Sequence, residues 1–116
     1  MPDLLLDRLA KALEGAGIPA KCEGEPGYRV CINAPERFGS LMFFGEMGDY
    51  ENAPFIVWAM TGIEARSPGA GVTFSKRYGA WYCEVVNGDC LNVSTNGCWT
   101  RATCLAEALI KVLGEK

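Results

Sequence analysis

The chain has 116 residues, 49% of them hydrophobic, with 14 acidic side chains, 11 basic ones, six cysteines and no histidine. Its length is typical of one domain, so we predict a single α+β domain over residues 1–116 that needs neither disulfides nor a metal to fold. The net charge of -3 argues against a general binder of nucleic acid or of anionic membranes. The absence of histidine excludes the usual catalytic triads and every histidine-bearing zinc site.

The first predicted element is an amphipathic helix over residues 3–14, where Leu5, Leu9 and Leu13 return to one face every four residues. Acids precede its first leucine run, which is unlike a secretory signal peptide. No apolar run in the chain approaches the roughly twenty residues that cross a bilayer. We therefore predict a cytoplasmic protein with reduced thiols and no membrane contact.

Four short segments predict strands. Residues 28–33 alternate between apolar and polar side chains, and residues 41–44 form a second short strand pattern. Residues 55–60 are apolar at every position, so we predict a central strand that is covered on both faces. A further strand is predicted over residues 72–75, after a loop rich in glycine.

The next segment, residues 81–94, carries the strongest hairpin signal in the chain. Burial favours a register that pairs Val85 with Leu91, Cys83 with Val93 and Trp81 with Thr95, because one face then becomes almost wholly apolar. The opposite, mixed face would present Tyr82, Glu84, Val86 and Asn92.

The last predicted element is a helix that begins at Thr100 or Thr103 and buries an alanine and leucine stripe. The predicted architecture is therefore an N-terminal helix, a four- to five-stranded mostly antiparallel sheet and a C-terminal helix packed on that sheet, as an α-β-α sandwich or a two-layer fold. If both helices covered one face, the apolar surface left over would need a partner, and a homodimer is the simplest solution.

Three groups of residues are candidates for binding. Two of them form a candidate protein-interaction surface, namely the mixed face Tyr82, Glu84, Val86 and Asn92 and the acidic loop residues Glu46, Asp49, Tyr50 and Glu51. The third is an alternative basic patch of Arg66, Lys76 and Arg77, close to aromatic residues that could stack on single-stranded nucleic acid. Nucleic acid is not the favoured partner, because a few basic side chains next to aromatic ones are common on the solvated edge of any sheet.

The cysteines point to no cofactor. Cys83, Cys90, Cys98 and Cys104 could supply four thiolates, but the chain lacks the short C-x-x-C spacing that brings two zinc ligands together. No phosphate-binding glycine motif, catalytic residue or metal ligand is predicted.

The strand from Trp81 to Val85 and the Ala-Thr-initiated, alanine-rich helix within Trp99 to Ile110 resemble small uncharacterised phage and prophage proteins. The resemblance covers mainly residues 81–113. It implies an α-β-α sandwich domain in a bacterial host cell, and it carries over no activity and no functional residues.

We therefore predict a non-enzymatic phage-type protein that acts through contacts with a protein partner, in assembly or in modulating a host protein. The alternative is a module that binds a small ligand or single-stranded nucleic acid. The sequence does not identify the partner.

Overall fold

A computed structural model describes residues 5–23, 29–33, 39–44, 48–66, 69–87, 90–95 and 97–113, without the side chains of Arg66, Asn87 and residues 90–93. The helices are α1 (Leu5–Gly15), α2 (Ala53–Arg66) and α3 (Arg101–Val112). The strands are β1 (Ala20–Glu23), β2 (Arg29–Asn33), β3 (Ser40–Phe44), β4 (Ala70–Arg77), β5 (Ala80–Asn87) and β6 (Cys90–Ser94). One helix followed by three strands therefore occurs twice before the final helix.

The strands form two antiparallel sheets, in the orders β1-β2-β3 and β4-β5-β6. The predicted α+β class, with terminal helices packed on antiparallel sheet, is confirmed. The strands are nevertheless divided between two three-stranded sheets instead of one sheet of four or five. The division arises because α2 stands between β3 and β4, where the sequence indicated a strand.

The prediction of a central strand over residues 55–60 is wrong, because this run belongs to α2. Phe55, Ala59 and Ile63 are fully buried at intervals of four, which is a helical stripe. Val57 lies on the solvent side of the same helix with 58% of its surface exposed, and this apolar residue hid the helical period. Although α2 is largely apolar, no helix in the described ranges is long and apolar enough to cross a membrane.

The buried side chain of Asn52 fixes the start of α2. Its Oδ1 accepts a hydrogen bond from the Phe44 amide at 2.7 Å, and its Nδ2 donates to the Phe44 carbonyl at 2.9 Å and to the Gly48 carbonyl at 3.2 Å. The first helical turn is then closed by the Ile56 amide, which donates to the Asn52 carbonyl at 2.9 Å. One amide side chain thus joins the end of β3 to the beginning of α2.

The last helix, α3, lies at the centre of the fold and contacts α1, α2, β5 and β6. Its buried residues surround the helix axis and are mostly small: Ala102, Cys104, Leu105, Ala106, Ala108, Leu109 and Ile110. Thr100 is the N-cap, as one of the two predicted alternatives, since its hydroxyl accepts a hydrogen bond from the Thr103 amide. Where α1 packs against α3, Arg8 forms a bidentate ion pair with Glu107, and both N–O distances are 3.3 Å.

The hairpin of β5 and β6 has a different register from the predicted one. Val85 pairs with Val93 and Val86 with Leu91, with an irregularity between Val85 and Val86. The predicted pairings of Val85 with Leu91, Cys83 with Val93 and Trp81 with Thr95 are all wrong, since Trp81 instead bridges to Cys98. The register shifts between Val85 and Val86, and a regular two-residue period does not reveal such an irregularity. The faces of β5 are as predicted: Cys83 and Val85 are buried, whereas Tyr82 and its same-face neighbours are only half-buried.

Replacement of Asn52 by alanine should lower the free energy of unfolding by roughly 1 to 3 kcal/mol, because the amide and carbonyl of Phe44 lose their partner. Urea denaturation monitored by circular dichroism measures this change. The exposed Asn33 at the end of β2 is the matched control, and Asn33→Ala should cost less than about 0.5 kcal/mol. Equal losses from the two variants would contradict the bridging role of Asn52.

Candidate interaction site

A groove of about 460 Å³ runs between α2, β4 and the N-terminus of α3. We call it the α2–β4 groove, and it is lined by Asp49, Tyr50, Ala53, Ile56, Val57, Met60, Phe74 and Arg101. Most of these side chains are apolar. Among the hollows found in the described residues, a second one of about 390 Å³ lies over the first sheet, where none of the predicted site residues lines it.

The wall of the groove is a second apolar stripe on α2. Ala53, Ile56, Val57 and Met60 follow the spacing i, i+3, i+4 and i+7, which places them on one side of the helix. The first stripe, which contains Phe55, faces the core. A surface helix normally needs only one apolar stripe. In the second stripe Ile56 and Met60 are half-buried against the edge of the core, whereas Ala53 and Val57 are exposed, so the described part of the chain covers this apolar surface only in part.

Large side chains are exposed in the groove and close to it in the chain. Tyr50, which lines the groove, has 89% of its surface exposed, and Trp99, two residues before Arg101 in the sequence, has 91% exposed. Val57 adds an exposed aliphatic group to the groove wall. Tyrosine, tryptophan and arginine are the residue types that most often dominate the binding energy of protein interfaces.

Two cations gather around Trp81 at the α3 end of the groove. The Lys76 Nζ lies 5.5 Å from the centre of a Trp81 ring, and the Arg101 guanidinium carbon lies 5.3 Å from it. Lys76 is directly opposite Trp81 in the β4–β5 pairing and shares a face with Phe74, since residues two apart on a strand point the same way. The apolar groove therefore leads along β4 to a positively charged end.

Asp49 does not act as a free acidic group at this end. Its carboxylate accepts hydrogen bonds from the Ala102 amide at 2.9 Å, the Arg101 amide at 3.3 Å and the Arg101 Nε at 3.1 Å. Burial alone would raise the pKa of Asp49, but these hydrogen bonds and the Arg101 charge outweigh it and hold the pKa below its ordinary value of 3.8. Asp49 thus attaches the loop before α2 to the first turn of α3.

The acidic loop is therefore not one uniform acidic surface. Asp49 and Tyr50 line the groove, whereas the Glu51 carboxylate accepts a hydrogen bond from the Gly48 amide at 3.1 Å. Glu46 lies outside the described residues.

The mixed face of β5 is a separate surface. Tyr82, Glu84 and Val86 lie together, half-buried, on the side of the strand opposite Cys83. The Arg77 guanidinium carbon covers Tyr82 at 4.8 Å from the ring centre. The side chain of Asn92 lies outside the described residues, so this part of the predicted surface stays a prediction.

The three residues of the predicted basic patch do not come together. Arg66 ends α2 close to the start of β4, whereas Lys76 lies about 20 Å further along that strand, at about 3.3 Å per residue. Lys76 and Arg77 are neighbours on a strand and therefore point to opposite faces. The cation that does join Lys76 is Arg101, from a different part of the chain.

Sequence reasoning missed the groove because residues 55–60 had been assigned to a strand. A helical projection that starts at Asn52 would have shown both apolar stripes of α2. The position of Arg101 beside Lys76 depends on long-range packing and has no local signal. In the described ranges, no group of three or more cysteine or acidic side chains is arranged to hold a metal ion.

The Asp49→Asn variant should be less stable than the wild type by about 1 kcal/mol at pH 7, because the α3 N-terminus loses a negative charge. In the unfolded chain this carboxyl has a pKa near 3.8, and in the folded chain the pKa is lower. Its stabilising effect is therefore complete above pH 3.8 and is lost as the pH falls through the lower folded value.

Thermal or urea unfolding of both proteins across this acidic range measures the effect, and the difference between them should shrink as the pH falls. Glu64→Gln, at an exposed acid of α2, is the control. A difference that is the same at pH 7 and at the acid end would contradict the electrostatic role of Asp49.

Comparison with known proteins finds no matching family model, no matching curated protein and no matching solved structure. The phage-type relationship therefore stays a prediction. What the groove binds must be inferred from its own residues, charges and shape.

Proposed function

We propose that the protein is non-enzymatic and acts by binding a partner protein in the α2–β4 groove. The observation that carries this proposal is the second apolar stripe of α2, with Val57 at 58% exposure. Exposing such side chains costs free energy in water, and contiguous exposed apolar surface is a common mark of an interaction site.

The charges of the groove favour a particular kind of segment. Apolar side chains of the partner would pack on Ile56, Met60 and Phe74, and a carboxylate at one end of the segment would face Lys76 and Arg101. Arg101 remains accessible, since 49% of its side chain is exposed despite its ion pair with Asp49. Its position over Trp81 also holds the guanidinium in place before a partner arrives.

The resemblance to phage and prophage proteins supports a setting for this binding. In that setting the protein acts in the cytoplasm of a bacterial host, in assembly or in modulating a host protein. A second copy of the chain is one partner that the groove could accept.

The alternative function is a module that binds a small anionic ligand or single-stranded nucleic acid. The pairing of Lys76 and Arg101 with Trp81 favours it, because cations and aromatic faces together bind nucleotides. Two features make it the weaker reading: Trp81 and Tyr82 lie on opposite faces of β5, and each ring already carries a cation of the protein itself. The bases of a single-stranded nucleic acid would therefore have no continuous aromatic surface on which to stack.

A photoreactive benzophenone amino acid placed at Val57 or Tyr50 tests the proposal. In the native cell we expect ultraviolet light to link each of these positions to the same specific protein, because both side chains are exposed at the groove. Mass spectrometry identifies the linked protein, including a second copy of this chain. Lys11, exposed on α1, is the matched control position and should give no such product.

A second variant ties the product to the groove. Val57→Asp should reduce cross-linking from Tyr50 about tenfold or more, since it places a charge in the apolar wall while leaving the exposed helix surface folded. Cross-linking that is equal at Lys11 and at the groove positions, or that Val57→Asp leaves unchanged, would reject the groove as the binding site. Retention of labelled oligonucleotide at low salt that Lys76→Ala with Arg101→Ala removes would instead establish the alternative.

A further inference from the structure

Three cysteines lie next to one another beneath the cationic end of the groove. Cys83 comes from β5, Cys98 from the segment before α3, and Cys104 from the first turn of α3. The Thr95 hydroxyl contacts both the Cys83 amide and the Cys104 Sγ, and the Trp81 carbonyl contacts both the Cys98 amide and the Cys104 Sγ. The Cys104 Sγ lies 2.8 Å from the Thr95 Oγ1. We call these three residues the thiol cluster.

Cys98 and Cys104 both contact the carbonyl oxygen of Trp81. This oxygen accepts a hydrogen bond from the Cys98 amide at 2.8 Å and lies 3.4 Å from the Cys104 Sγ, which donates to it when protonated. The Trp81 amide also donates to the Cys98 carbonyl at 2.8 Å, so Trp81 and Cys98 form a bridged pair. Directly opposed residues on antiparallel strands place their side chains on the same face, which puts Cys98 beside the Cys83 side of β5.

Exposure separates the three thiols into different roles. Cys83 and Cys104 are fully buried, whereas Cys98 is half-buried and in contact with solvent. A reagent that cannot enter the core therefore meets Cys98 first. Cys104 lies behind it as a second sulfur.

The hydrogen bonds within the cluster favour a negative charge on Cys104. Bonds from the Cys83 and Cys98 thiols lower the pKa of Cys104 despite its burial, and Thr95 acts in the same direction. The same bonds to Cys104, together with burial, raise the pKa of Cys83 and of Cys98, and Glu107 adds to the effect at Cys98 while Lys111 opposes it. The N-terminal turn of α3 further favours a thiolate at Cys104.

We propose that Cys98 and Cys104 are a redox-modification site, which a low-molecular-weight disulfide such as glutathione disulfide converts to an intramolecular disulfide. This chemistry needs no protein partner and does not depend on the proposed function.

The exchange proceeds in two balanced steps. Cys98 loses its proton to a base of the buffer, and the Cys98 thiolate attacks glutathione disulfide, so that a mixed disulfide forms and one glutathione thiolate leaves. The Cys104 thiolate then attacks the Cys98 sulfur, and the second glutathione leaves as a thiolate. The Cys98–Cys104 bond forms, the mixed disulfide breaks, the two protein sulfurs are oxidised and glutathione disulfide is reduced to two glutathiones.

The disulfide would close the segment that carries Trp99 and Arg101. These residues lie between the two cysteines in the chain, so the bond would hold together the two ends of the segment that bears the exposed indole and the groove cation. Cys83 would remain a buried free thiol next to the new bond.

Equilibration of the purified full chain with glutathione and glutathione disulfide at increasing ratios tests the proposal. Rapid alkylation with N-ethylmaleimide traps the free thiols, and mass spectrometry then counts the thiols that were lost. Trypsin cuts after Arg77, Arg101 and Lys111, so Cys104 lies alone in residues 102–111 while Cys98 lies in residues 78–101. We expect the oxidising buffer to join these two peptides, with fragment ions that locate the link at Cys98, and dithiothreitol to separate them.

Three variants complete the test. Cys98→Ser should abolish the linked peptide, whereas Cys83→Ser and the control Cys31→Ser, on the first sheet, should retain it. A circular dichroism spectrum and a urea midpoint near the wild-type values establish that each variant is folded. The proposal is overturned if the link persists in Cys98→Ser, if fragment ions place it at another cysteine, or if Cys98 stops at a stable mixed disulfide at every ratio.

Discussion

The packing of α3 on several sides is the constraint on which the rest of this structure depends. A helix in contact with two other helices and with two strands has little room for large side chains, and the alanines and the cysteine of α3 provide close approach. Leu105 and Leu109 fill the remaining space. Both helix-and-three-strand units are held to the same central helix, so neither sheet needs the other sheet as a partner.

The N-terminus of α3 also explains why binding and thiol chemistry lie so close together. Asp49 and Thr100 satisfy the first amides of the helix, and the turn they fix presents Arg101 outward and Cys104 inward. The same turn therefore supplies the cation of the α2–β4 groove and the central sulfur of the thiol cluster. Trp81 lies between them, with its ring near the cations and its carbonyl on the thiol side.

Local periodicity predicted the two terminal helices, the general α+β class and the faces of β5, because each of these depends on a regular repeat with one buried side. Periodicity failed over residues 55–60, because Val57 is apolar although it is exposed. An amphipathic helix is recognised by the contrast between apolar buried positions and polar exposed ones, and Val57 removes that contrast. The register of the β5–β6 hairpin was predicted wrongly for a similar reason. The pairing is irregular between Val85 and Val86, and the alternation of apolar and polar residues does not show where such an irregularity lies. The meeting of Lys76 with Arg101 could not be predicted at all, because only the docking of α3 brings these distant residues together.

The position of α3 in the chain has a consequence for how the protein folds during synthesis. The helix that completes the core follows both sheets in the sequence, so α1, α2 and the strands leave the ribosome before the surface that buries them exists. Their apolar faces are exposed to solvent until α3 has been translated, which is the condition in which nascent chains recruit chaperones or aggregate. The core of the described residues is therefore complete only late in translation, when α3 joins the two helix-and-three-strand units.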